Sequence, residues 1–190
     1  MQNIFFYFIF FVLVKFSNAQ GLSPSETPLP LSVGTKLSYE VTQGQEHYPF
    51  IVGLRKFSLA EKIITWEMPT KEKKGEVLMT SDAIKSGKRI VNYFGEPQMI
   101  FARKTAVWLS LALSQKVENK EAFELEIDKE ALQTFTFEKE NELILLFDGQ
   151  PQLYTAYLYT NEKKDRKLLL LPIKEKCALI VGMDIGFQLA

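Results

Sequence analysis

The chain has 190 residues, 46% hydrophobic and 24% charged, a balance that suits one packed domain and excludes a disordered one. Lys plus Arg equal Asp plus Glu at 23 each, so the chain lacks the basic excess that nucleic-acid recognition relies on. The 15 Phe and 7 Tyr favour pleated, half-buried surfaces and tilt the expectation toward sheet.

Residues 4–14 form an unbroken run of eleven apolar side chains, followed by Lys15, Phe16 and the small-residue stretch Ser17-Asn18-Ala19. As a helix the run would rise about 16 Å at about 1.5 Å per residue, well short of the about 30 Å of a bilayer core. The reading is a secretory signal peptide over residues 1–19, cut after Ala19, with a buried N-terminal strand or helix as the alternative. Ahead of the run only the α-amino group carries charge, and Lys15 sits late. No Cys stands near the cut, which argues against a lipid anchor, and no later segment is long and apolar enough for a transmembrane helix. The lone Cys177 excludes an intrachain disulfide and reads as a small buried core residue. Residues 20–33 contain Pro24, Pro28 and Pro30 and read as a Pro-rich extended tether. A single β-rich domain is expected over 34–190.

From there period two dominates. Leu37, Tyr39 and Val41 share one face of a strand over 35–42, with Lys36, Ser38 and Glu40 on the other. Residues 43–47 read as a loop and 50–59 as a strand in which Gly53 marks a bulge or close contact. Ile64, Trp66 and Met68 share a face of a strand over 62–68 that Pro69 ends, and 71–75 reads as a solvated turn. Further strands are expected over 76–80 and 88–94, with Ser86-Gly87 as a turn. Residues 105–117 are the helical candidate, with Ala106, Leu109, Leu113 and Val117 at spacings of three and four and Thr105 as N-cap. Alternation returns over 121–127, where Phe123, Leu125 and Ile127 oppose Glu124 and Glu126. A helical turn over 128–133 precedes strands at 134–138 and 142–147. Phe147-Asp148-Gly149 signals a hairpin returning through 154–160. A charged turn over 161–167 leads to the apolar run 168–171. The last segment, 177–190, places Leu179, Val181, Met183, Ile185, Phe187 and Leu189 on one face, a pattern that demands continuous burial and a central place in the sheet.

Short turns between successive strands imply antiparallel pairing. The expected fold is mainly β: an antiparallel curved sheet, sandwich or barrel of about ten strands with one short helix.

Catalytic constellations are lacking. A Ser-His-Asp hydrolase needs a proton-accepting His, and the single one, His47, sits in a polar loop, where a solvated side chain is the simpler reading. Neither clustered metal ligands nor a Gly-rich phosphate loop is present, and the glycines of Gly182-Met-Asp-Ile-Gly186 fall inside a strand pattern. Glu124 and Glu126 share a face as a glycosidase pair would, but strand alternation makes that the solvent side. The runs 71–74 and 161–167 mix both charge signs and read as hydrophilic turns. No catalytic residue, metal ligand or cofactor is assigned, and ligand-binding residues are left open.

The stretch Pro28-Leu-Pro-Leu-Ser-Val-Gly-Thr-Lys-Leu-Ser-Tyr39 resembles exported bacterial proteins of unknown function whose mature domain opens with a Gly-x-x-Leu-x-Tyr strand after a Pro-Leu tether. Some of these are similar in outline to lipoprotein carriers, which implies a strongly curved sheet around an apolar hollow. The Gly-x-Trp start of lipocalins is absent, because Thr35 and Lys36 follow Gly34, and the resemblance assigns no functional residue. The leading expectation is a non-enzymatic periplasmic or secreted binding protein for an apolar, lipid-like small molecule. The alternative is a cell-envelope interaction or structural module that recognises another protein through a sheet edge or loop. A third is a small outer-membrane barrel, which the two-sided apolar runs 143–147 and 168–171 disfavour. An apolar hollow would mark the first, and a filled core with a large exposed apolar patch the second.

Overall fold

Alternating side chains become strands wherever one face of them can be covered. The computed structural model describes residues 9–11, 29, 31–147, 149–173 and 177–185. In chain order the strands are β1 (Ile9–Phe11), β2 (Lys36–Gln43), β3 (Glu46–Phe57), β4 (Glu61–Met68) and β5 (Lys73–Thr80). Helix α1 (Ser81–Ser86) follows, then β6 (Arg89–Ile90), β7 (Gln98–Phe101), β8 (Lys104–Thr105) and helix α2 (Leu111–Glu118). The chain continues through β9 (Phe123–Ile127), β10 (Gln133–Phe147), β11 (Gln150–Asn161), β12 (Lys167–Leu171) and β13 (Leu179–Asp184).

Two sheets result. Five strands, in the order β7-β5-β4-β3-β2, form one, and seven, in the order β13-β12-β11-β10-β9-β6-β8, form the other. Strand β1 stands between β2 and β13 and joins them into a run of thirteen. Pairing is antiparallel except for the short partners β5–β7, β6–β8 and β6–β9. The end strands β7 and β8 are separated in sequence only by Ala102 and Arg103, yet they do not pair, so the sheet stays open. The fold is therefore the mainly β, antiparallel arrangement expected. The barrel alternative is corrected: the end strands β7 and β8 do not pair, so the sheets are not closed into a barrel.

The predicted inner faces hold. Tyr39 and Val41 of β2, Ile64, Trp66 and Met68 of β4, and Phe123, Leu125 and Ile127 of β9 are all buried. Both helices add to the same core through Ala83, Ile84, Leu113 and Val117. Phe94 rings pack at 4.8 Å from Phe50 and 5.7 Å from Trp66, centroid to centroid. Gly53 meets a close neighbour, since a Cβ there would stand 2.6 Å from Thr65 Oγ1, and the register shift lies next to it, between Leu54 and Lys56. Phe147 pairs with Gln150 across the hairpin, with Gly149 at a φ of +78°; Asp148 lies outside the described residues.

Several boundaries differ for identifiable reasons. The helix expected over 105–117 begins only at Leu111, after Ser110, and Thr105 belongs to β8 instead of capping it. The backbone of 105–109 is committed elsewhere. Thr105 O accepts from Val91 N, Leu109 N donates to Ala178 O, and Val107 O accepts from Ile180 N. Val107 also has a φ of 68°, which no helix continues through. Helix α1 went unforeseen because six residues show too little periodicity, although Thr80 Oγ1 accepts from Ala83 N at its start. The strand expected over 88–94 shrinks to β6. The strands at 134–138 and 142–147 are one, β10, with a register shift between Phe137 and Lys139. Residues 128–130 turn without becoming helical, around an Asp128 with a φ of 53°. His47 lies in β3, and Gly75 lies in β5, so both predicted loops are shorter. In the last strand Leu179, Val181, Met183 and Ile185 are buried; Phe187 and Leu189 lie outside the described residues. So do most of residues 1–19 and of the tether.

Candidate functional site

The residues weighed for chemistry stay apart. His47 is exposed and shares a hydrogen bond of 2.9 Å between its Nδ1 and Thr42 Oγ1. Glu126 pairs with Arg89, and the exposed Glu124 stands 4.0 Å from Lys88. Among the described residues no three of His, Cys, Asp and Glu gather as metal ligands. Asp82, Ser86, Lys88 and Arg103 line a shallow polar depression of mixed charge.

The unusual titratable group is Lys62, only 3% exposed. It stands on β4 at the parity of Ile64, Trp66 and Met68, so strand geometry sends its side chain to the core face. Its Nζ lies 5.0 Å from the centroid of the Phe57 ring and 5.5 Å from that of Trp108. Burial pulls its pKa below the usual lysine value, and the adjoining Cys177 sulfur partly offsets this. Cys177 Sγ also faces the Ile84 carbonyl at 3.9 Å, and Trp108 Nε1 is buried with no hydrogen-bond partner among the described residues. Amine and thiol thus meet, both buried, beside the Phe57 and Trp108 rings. The sequence signal was available: Lys62 falls in the alternation that named Ile64, Trp66 and Met68.

An energetic consequence follows. The unfolded chain hydrates the Lys62 ammonium, so a lowered folded pKa works against folding at neutral pH and ceases to do so as pH rises toward about 10.4. Lys62→Met is expected to stabilise the protein by about 1–3 kcal/mol at pH 7, and the advantage should narrow by pH 9.5. Urea titrations of both proteins at the two pH values measure this. Equal stability at both would show that the ammonium keeps its solvation.

The second feature is the seam between the sheets. β1 runs antiparallel to both neighbours, so β2 and β13 run parallel to each other on either side of it. Phe10 stands opposite Val41 and Met183, and Phe11 opposite Glu40 and Gly182. The segment Val107–Leu109 covers β13 as far as Ile180, and β1 takes over at Gly182. Beneath, the Tyr39 hydroxyl donates to Ile180 O at 3.2 Å, a direct tie from β2 to β13. Burial keeps that hydroxyl protonated, pushing its pKa far above the ordinary value. Next to the tie is a cavity of about 10 Å³ lined by Tyr39, Asn92, Phe94, Val107, Ile180 and Met183 among others. That is room for about one water. Tyr39, Val41 and Met183 are legible in the sequence as inward-facing strand residues, but their meeting is not, because Tyr39 and Ile180 are separated by 141 positions.

Compared with family models, curated proteins and solved structures, the chain matches none.

Proposed function

We propose that the protein is a non-enzymatic, exported interaction module that engages another polypeptide through its sheet. The observation that carries this reading is the packing of the interior. Ligand pockets measure about 300–1,000 Å³, whereas the enclosed space at the seam is about 10 Å³. The apolar-carrier reading needs a hollow, and the described residues fill theirs with Trp66, Trp108, Phe50, Phe123 and Phe135. Export rests on the apolar run of residues 4–14 and the small residues before the expected cut after Ala19. The candidate partner-facing element is the sheet edge, where backbone groups offer affinity without a pocket.

Native mass spectrometry of protein recovered from its source compartment tests this. The expected species begins at Gln20 and carries no stoichiometric small molecule. A bound lipid-like molecule would restore the carrier reading, and intact Met1 in cytosolic material would overturn export.

A further inference from the structure

We infer that the seam between β2 and β13 is a strand-acceptor slot, held by the leader's own Ile9–Phe11 until processing and afterwards filled by an extended apolar segment of a partner protein. This deepens the proposed function and rests on its cleavage after Ala19.

Three observations support the slot. First, the strand that joins the sheets comes from residues that the sequence assigns to the leader, and it pairs on both sides, with Glu40, Val41 and Thr42 on one and Gly182 and Met183 on the other. Without it the sheet parts into five and seven strands, and β2 and β13 become facing open edges. Second, the gap has a fixed width. Strands lie about 4.8 Å apart, so the edges flanking β1 are about 9.6 Å apart, room for a single strand. The Tyr39 hydroxyl bond to Ile180 O and the pairing of Val107–Leu109 with β13 hold the base of the slot together. Third, packing is incomplete here: a small cavity lies against Tyr39, Ile180 and Met183, on the buried side of both edges.

The occupant's chemistry follows from the walls. Backbone pairing on two sides requires an extended segment without proline. Val41 and Met183 are buried and flank the same central position, which calls for a large apolar residue there. The direction is antiparallel to both edges, as for Ile9–Phe11. A protein segment fits these terms. A lipid chain does not, because it offers no donors to either edge.

Hydrogen exchange read by mass spectrometry tests the slot on three samples: the full chain, the processed chain from the exported fraction, and the processed chain with a synthetic peptide of residues 4–14 flanked by lysines. Amides of Glu40–Thr42 and Gly182–Met183 are expected to exchange at least about tenfold faster in the processed chain than in the full chain. The peptide should restore protection, and the same peptide with Phe10→Pro should not. Protection in the processed chain without peptide would overturn the inference. If it depends on concentration, a second copy fills the seam; if not, the seam is closed or filled by the chain itself. Equal protection by both peptides would also overturn it, by showing apolar adhesion without strand pairing. So would loss of the folded core in the processed chain, which would make Ile9–Phe11 an integral strand. The mass of the exported chain's N-terminus reports separately on the export reading, so the two can fail independently.

Discussion

Met183→Asp is expected to destabilise the full chain by about 3–5 kcal/mol, because it places an unpaired carboxylate in the core. Met183 is buried, and its cross-strand neighbour on β12 is the fully buried Leu168. Such a loss consumes much of the about 5–15 kcal/mol that holds a typical domain together. The neighbouring position provides the control. Asp184 is half-buried on the opposite face and stands across from Lys167, so Asp184→Asn should cost less than about 1 kcal/mol. Paired denaturant titrations decide the matter. Small, equal losses would mean that β13 has no buried face, and a large loss from Asp184→Asn alone would reverse the assignment of the two faces.

Trp66→Ala is expected to cost about 3–5 kcal/mol through the cavity it leaves. The indole is among the largest fully buried groups and touches the Phe94 ring. Its site is shaped for it: the residue opposite on β5 is Gly75, where a Cβ would lie 2.7 Å from Trp66 Nε1 and 2.6 Å from the Pro97 carbonyl. The glycine makes room for the ring, and the ring covers the glycine's backbone. Trp66→Phe should cost less than half as much. It keeps an aromatic surface and removes an indole N–H that has no hydrogen-bond partner among the described residues. Urea titrations with unchanged slopes would establish both values, and equal costs for the two variants would place the importance of the site in the indole nitrogen.

What could be read from sequence was local. Period two found β2, β4, β9 and the inner faces they present, because burial of one sheet face is written directly into alternating side chains. The same rule carried Lys62 inward, but a charged residue is easily read as a strand's polar start and was not counted with Ile64. Helix α2 was found at its C-terminal half and misplaced at its start, since Ala106 and Leu109 fit helical spacing while their neighbours bond to β6 and β13. Helix α1 was lost to shortness. The seam was illegible because nothing in the composition of Lys36–Gln43 or Leu179–Asp184 says that these strands flank a third. That relation appears only when both ends of the chain are brought together.

This arrangement also orders the events of folding. β2 to β5 form one meander and β9 to β13 another, each assembled from pairings between sequence neighbours. Pairings of that kind form quickly, while contacts between distant segments must first overcome the entropy of closing a long loop. The tie from Tyr39 to Ile180 spans 141 positions and cannot form until β13, the last described strand, is available. A chain passing through a translocation pore from its N-terminus would therefore carry its first meander across well before the two halves could lock. The two halves lock only once β13 is in place, after each meander can already have formed.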